Sequence, residues 1–314
     1  MFKGISMESL VSIGIAFLSA PLFPGIILKV KARFAGKKGP PLLIKYYTLI
    51  KLFRKGSVYS TTTSFVFKLG PLVSCAGGIM ILLFFPLAAI APVLSFHGDV
   101  LVLFYIMATG RFFTIAAALD TGSPFQGMGA AREAFFGTLA EASIFAILIL
   151  FYRMTGALSF SEYFTGATPI SLTGPAGSLL LLVIVALFMV LLTENSRVPV
   201  DDPATHLELT MIHEVMVLDH SGPDLALIEI ASFYKLFFYS AFLTLIICPL
   251  APSGGLSNLP VFYGVMVLVY VAIGLVESMM ARFKMSLVPK FVLTSSVLVV
   301  FAAILTMGFI KWSI

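Results

Sequence analysis

Residues Pro175–Thr193, PAGSLLLLVIVALFMVLLT, run nineteen positions without a charged side chain. As a helix rising about 1.5 Å per residue, such a run covers roughly 30 Å, the thickness of the hydrocarbon core of a bilayer. The adjoining stretch is of the opposite kind. Glu194–Asp224, ENSRVPVDDPATHLELTMIHEVMVLDHSGPD, carries seven of the fifteen acids and three of the four histidines.

The rest of the chain resembles the first stretch. Of its 314 residues 59% are hydrophobic and 11% charged, where a soluble domain has about 25% charged. Eight runs are long and apolar enough to span, roughly 8–28, 66–95, 99–119, 134–152, 175–193, 226–250, 259–281 and 290–310. Helices satisfy every backbone group inside lipid, and the short alternating segments of a membrane β-barrel are missing. The expected fold is all-α, a polytopic membrane bundle of about eight transmembrane helices forming one domain over 1–314.

Seventeen of the twenty Lys and Arg residues flank or fill the odd-numbered connections, and Lys3, Arg153 and Lys311 fall on the other side. The positive-inside rule then places the odd connections in the cytoplasm and both termini outside the cell membrane. The first run resembles a signal peptide, but the basic segment beginning at Lys29 would resist translocation, so it reads as a retained helix. The net charge of +5 comes mostly from that segment meeting the inner leaflet, and no nucleic-acid partner is expected. Cys75 and Cys248 lie in apolar runs, far apart, without a disulfide or metal pattern.

In Lys37–Gly56, Pro40 and Pro41 precede Leu42, Tyr46, Leu49 and Phe53 at helical spacing, opposite Lys45, Thr48, Lys51 and Lys55. This predicts an amphipathic helix lying in the cytoplasmic interface, either as an anchor or as the wall of a lateral opening.

Glu141, Glu229, Lys235 and Glu277 fall inside apolar runs. An ionisable residue at the centre of a spanning helix costs about 2.5–3.5 kcal/mol on insertion scales and therefore faces the bundle interior or a watered cavity. Glu141 is expected to pair with Arg132 or Arg111, and Glu277 shares a helical face with Lys284. Within the polar stretch, Ala204–His220 has helical character, with Glu208 and Asp219 on one face and His206, His213 and His220 at sevens. That spacing separates the histidines by about 10 Å along a helix, and His213-Glu214 lacks the second His of a zincin motif, so no metal site is expected. Glu141, Glu194, Glu208, Glu214, Asp219, Glu229 and Glu277 form the expected proton or cation path, with Arg132, Arg197 and Lys235 as charge partners.

Three motifs carry a resemblance that extends over essentially the whole chain. They are Lys38-Gly39-Pro40-Pro41 with Tyr46-Tyr47; Asp120-Thr121-Gly122-Ser123-Pro124-Phe125 with Arg132-Glu133 and Glu141; and Glu194, Arg197, Pro199 and Asp201 with Glu208-Leu209 and Asp219-His220-Ser221-Gly222. The chain resembles the family that contains a membrane subunit of bacterial respiratory complex I and the corresponding membrane subunit of formate hydrogenlyase and other group 4 NiFe hydrogenases. The interval from Pro203 to Glu214 is similar to the hydrogenase-like branch. Ile44, Lys45, Thr48 and Gln126 depart from the pattern of many members.

The resemblance implies a subunit that anchors a soluble arm of hydrogenase-like and ferredoxin-like subunits beside antiporter-like membrane subunits. Iron–sulfur clusters, and a NiFe centre where retained, would belong to those partners, with no cofactor bound by this chain. It also implies that Pro40, Pro41, Tyr46, Tyr47, Asp120, Ser123, Pro124, Phe125, Arg132, Glu133 and Asp201 dock the arm or line a quinone-like chamber. A quinone-binding subunit of an NADH:quinone oxidoreductase-like complex is thus the alternative reading, and a stand-alone cation transporter a third, which the lack of internal repeats opposes.

Overall fold

A computed structural model of the chain describes residues 6–166, 170, 172, 177–202 and 211–310. Its elements are α1 (Met7–Ser19), α2 (Phe23–Phe34), α3 (Ile44–Phe53), α4 (Phe65–Phe84), α5 (Asp99–Asp120), α6 (Pro124–Thr155), α7 (Phe160–Thr165), α8 (Gly177–Glu194), α9 (His213–Met216), α10 (Gly222–Ile247), α11 (Leu259–Met279) and α12 (Val288–Ile310). Two short 3-10 segments, Ala20–Leu22 and Pro252–Asn258, join α1 to α2 and lead into α11. Among the described residues eight stretches are long and apolar enough to cross a bilayer: α1 with α2, then α4, α5, α6, α8, α10, α11 and α12.

Several boundaries differ from the sequence reading, each for a local reason. The fourth span begins at Pro124, ten residues before the apolar run, because proline suits the first turn of a helix, where its missing N–H is not needed. The Gly127-Met128-Gly129 segment stays helical and α9 packs on it: a side chain at Gly129 would strike Val215. The second span ends at Phe84, where the chain leaves the helix in extended conformation. Helical character expected over Ala204–His220 is confined, among the described residues, to His213–Met216; Met211 and Ile212 are not helical.

The bundle is organised around α10. In its most apolar window 72% of positions are buried, against 28% in α5 and in α12, so α10 is the axis and the other two are rim helices. Opposite α3, a cluster of rings knits the connections to that axis: Phe85 packs edge-on to Phe160 at 5.3 Å and to Phe238 at 5.0 Å, and Phe160 to Phe242 at 5.4 Å. Such pairs contribute about 0.5–1.5 kcal/mol each beyond their burial.

The same end is pinned by Asp99, fully buried at the start of α5. Its carboxylate accepts the Ser159 hydroxyl at 2.8 Å, the Phe160 N–H at 3.1 Å, and the Ser95 hydroxyl and Phe96 N–H at 3.3 Å. One side chain thereby ties two connections to a helix N-terminus, where negative charge is favoured. Asp99→Ala leaves those buried donors unpaired and is expected to destabilise the protein by about 3 kcal/mol; thermal unfolding in detergent should show a lowered midpoint, with Asp99→Asn intermediate.

Candidate functional site

The end of the bundle that carries α3 and α9 collects the ionisable residues. Glu194 closes α8, and its carboxylate is 1% exposed. Arg111 Nη2 donates to both of its oxygens at 2.7 Å, and Lys235 Nζ lies 2.9 Å from Oε2. Through Nη1, Arg111 also donates to Glu141 Oε1 at 2.8 Å. Four helices, α5, α6, α8 and α10, thus contribute one charge each to a chain of two acids and two bases. Space for the guanidinium comes from Gly137, where any side chain would collide with Arg111 Nη1.

A second cluster forms on α11. Glu277, also 1% exposed at its side chain, meets Lys31 of α2 at 3.0 Å and Arg197 at 3.4 Å. The expected partner Lys284 lies beyond the end of α11, which stops at Met279, so the shared helical face does not exist. Next to this cluster Asp201 pairs with Arg282 at 2.9 Å, and its other oxygen accepts the N–H groups of Ile212 at 3.0 Å and His213 at 3.2 Å. Asp201 therefore fixes the path of the chain into α9. On the remaining side Lys45 of α3 reaches Glu229 of α10 at 3.4 Å and lies 5.4 Å from the centre of the Phe233 ring.

These clusters surround a cavity of about 180 Å³ whose walls include Lys31, Lys45, Glu194, Glu214, Glu229 and Glu277. Burial holds the Glu214 carboxyl above the usual carboxylate range; Glu229 and Asp201 push the same way, while His213 and Lys45 oppose. A group so shifted exchanges protons closer to neutral pH. A second cavity of about 80 Å³, bounded by α4, α5 and α10, shares Lys235, Ser232 and His213 with the first and includes Glu133. A third, of about 70 Å³, is lined by Arg111, Glu141 and Tyr239.

A family model described as NADH dehydrogenase matches residues 7–308. The chain belongs to this family of complex I membrane subunits. Hydrogenase-4 component C of Escherichia coli (strain K12) is 30% identical to this chain over 213 residues, 68% of this chain and 66% of that protein. Formate hydrogenlyase subunit 4 of the same organism is 34% identical over 148 residues, 47% of this chain and 48% of that protein. The chain thus spans about half to two thirds of the length of these curated relatives. In fold it is similar to a chain of the membrane-bound sulfane sulfur reductase, an archaeal respiratory membrane complex, with a TM-score of 0.80 at 22% identity, covering 95% of this chain and 98% of that one.

In this member of the complex I family, Glu194, Glu214, Glu229 and Glu277 meet at one cavity, joined by Lys235 and Arg197. Glu141 lies one step away through Arg111, and its side chain is 33% exposed on the α5–α6 face. Asp219 is exposed in the turn between α9 and α10, and Glu208 lies outside the described residues. Arg132 donates to the Met211 carbonyl at 2.9 Å. Asp120 receives the Ser64 N–H at 2.6 Å and so ties α5 to the start of α4. Ser123, Pro124 and Phe125 open α6 and do not line the 180 Å³ cavity; neither do Pro40, Pro41, Tyr46 or Tyr47. Tyr46 instead donates its hydroxyl to the Leu18 carbonyl, fastening α3 to α1, while Tyr47 is 57% exposed. Among the described residues no group of three or more His, Cys, Asp and Glu is placed to hold a metal ion.

Reading the sequence undervalued Arg111 and did not single out Tyr239. Arg111 carried a usable signal, a full charge inside the run 99–119, the kind of residue that marks a function or a buried pair in a membrane helix. For Tyr239 no signal existed, because it stands among other aromatic residues on α10.

His220 is buried in the turn before α10, its ring stacked on Phe67 at 3.9 Å and 11°. Nearby, Ser221 Oγ accepts the Val58 N–H at 3.0 Å, and Gly222, at a φ of 54°, lies so close to the Gly56 carbonyl that no side chain would fit. Burial lowers the His220 pKa to about 4, with Asp224 and Asp219 opposing. The unfolded imidazole, near 6.5, binds protons that the folded one refuses. Stability is therefore lost as pH falls from about 6.5 toward about 4, by up to about 3 kcal/mol. A His220→Phe variant, which keeps a stacking ring, should show a flatter midpoint against pH over that interval.

Proposed function

We propose that this chain anchors the soluble electron-transfer arm of a group 4 hydrogenase-type respiratory complex to the cytoplasmic membrane and couples electron transfer to the movement of protons or sodium ions. The observation that carries this reading is the set of paired charges that runs from Glu277 and Glu229 at the large cavity, through Glu194, to Glu141 on α6. Relatives named as components of a hydrogenase and of formate hydrogenlyase, and a fold shared with a chain of an archaeal respiratory complex, support it. The same reading makes the chain one member of a multi-subunit assembly, with antiporter-like neighbours in the membrane. Iron–sulfur clusters, and a NiFe centre if one is present, belong to partner subunits. The excess of basic residues at the α3 end supports a cytoplasmic location for that end and an outer location for both termini.

Coupling follows from electrostatics. A unit charge arriving in the docked arm roughly 10 Å from a cavity carboxylate shifts it by about 1.7 kcal/mol at an effective dielectric constant near 20, more than one pKa unit. Glu214, already raised by burial, is the group on the cavity wall nearest to release or take up a proton in response. Glu277 and Glu194, each held by two cations, serve as fixed counter-charges whose partners reorient. Quinone reduction has less support: ionisable side chains make up half of the residues lining the cavity, where a quinone ring needs apolar surroundings with few polar groups, and the Asp120–Phe125 motif stands apart from it.

Glu141→Gln or Glu208→Gln in the intact complex is expected to leave assembly unchanged and cut ion uptake into reconstituted vesicles by about tenfold or more. Normal ion uptake in both variants would overturn the reading.

A further inference from the structure

Helix α3 has two faces, and only one of them belongs to the bundle. Leu49 is buried with Ala226 and Phe233 of α10, and Lys45 turns the same way, to Glu229. The other face, from the N-cap residue Leu43 onward, presents Leu43, Tyr47 and Ile50 at intervals of four and three residues, all of them exposed.

Close approaches fix the depth of this face. After Phe34 the chain turns and runs back along α2: Gly39 lies against Ala32, and the Leu42 carbonyl fills the space that a side chain at Gly25 would take. Gly25 lies inside the apolar run that ends at Leu28, so α3 starts below the basic residues of α2. Tyr46 reaches deeper still, donating its hydroxyl to the carbonyl of Leu18, a residue 74% exposed within the first membrane span. The outer side of α3 therefore adjoins the lipid-facing side of α1. From there the helix climbs. Lys45 meets Glu229, whereas the Lys55 carbonyl lies beside Gly222, the first residue of α10. Those two levels are separated by seven residues of α10, about 10 Å along its axis.

At the upper end Lys51, Arg54 and Lys55 are exposed and form no ion pair with a described residue, in contrast to the inward Lys45. Apolar side chains at acyl-chain depth, with unpaired cations at headgroup depth above them, match a leaflet containing anionic lipid. An acidic surface on a soluble partner would match the cations but leave Leu43, Tyr47 and Ile50, lower on the helix, uncovered.

We infer that the outer face of α3 is a binding site for anionic phospholipid, with Lys51, Arg54 and Lys55 holding the phosphate-bearing headgroup and Leu43, Tyr47 and Ile50 receiving the acyl chains. The guanidinium offers paired donors to phosphate oxygens, and the lysines add charge without fixed geometry. Lys45, on the inner side of the same helix, lines the large cavity, so the lipid site and the cavity share one element. The site does not depend on whether the carboxylates conduct ions.

The test uses the purified complex containing this chain in nanodiscs of equal parts phosphatidylglycerol and phosphatidylcholine. Tyr47 is replaced with the photocrosslinker p-benzoylphenylalanine, and the adducts are identified by mass. The expected product is this chain bearing a phospholipid, with phosphatidylglycerol recovered about threefold or more above phosphatidylcholine. Combining Lys51→Gln, Arg54→Gln and Lys55→Gln should bring the two lipids to equal yield. Crosslinking mainly to a soluble subunit overturns the inference, as do equal lipid yields in the parent protein or an undiminished preference in the triple variant. Ile50 provides a second crosslinking position, and lipid adducts from neither position would also overturn it. Should the triple variant fail to assemble, raised salt replaces it: screening of the three cations is expected to weaken the preference, and a preference that salt does not change overturns the inference.

Discussion

A guanidinium within membrane helices is tolerable only where acids surround it, and the pairing of Arg111 with Glu194 and Glu141 is the constraint on which this bundle depends. Removing one member of such a group strands a buried charge, at about 3–5 kcal/mol. The requirement reaches outward: α8 must end where Glu194 meets α5, α10 must present Lys235 to the same carboxylate, and α6 must be bare at Gly137 to let the arginine pass. Four helices are held in register by one ionic junction, where apolar packing against lipid-like neighbours supplies little directional preference.

The two ends of the bundle are built by different means. At the end opposite α3, aromatic rings and the Asp99 carboxylate hold short connections rigidly in place. At the α3 end, ion pairs surround a polar cavity, and several of these pairs are long or shared, such as Lys31 between Glu277 and Asp202. Shared cations are suited to exchanging partners at small energetic cost, which is what the proposed coupling role requires, whereas the ring cluster is close-packed. Stability is thus concentrated away from the site, and adaptability within it.

Much of the site was legible as residue types. Glu141, Glu194, Glu229 and Glu277 stand out because a carboxylate in or at the end of an apolar run must be paired or solvated. Their actual partners were not legible. Glu277 suggested Lys284 by helical spacing, but α11 ends before that residue and Glu277 turns to α2 and to Arg197 instead. Likewise helical character was expected over Ala204–His220, yet Asp201 captures the N–H groups of Ile212 and His213, and among the described residues of that stretch only the single turn His213–Met216 is helical. Local periodicity describes what a segment could do in isolation; a buried carboxylate that needs donors overrides it.

By itself the sequence determined the membrane class, the number of long apolar helices and the concentration of ionisable groups at one end, since all three depend on hydrophobicity summed over some twenty residues. Tertiary structure alone decided which charges neutralise one another, that Arg111 interrupts the row of acids, and that Tyr239 stands beside the interruption. The physical reason is that pairing between helices depends on their rotation and depth relative to one another, and residues 83 positions apart, as Arg111 and Glu194 are, carry no local signal that they will meet at 2.7 Å.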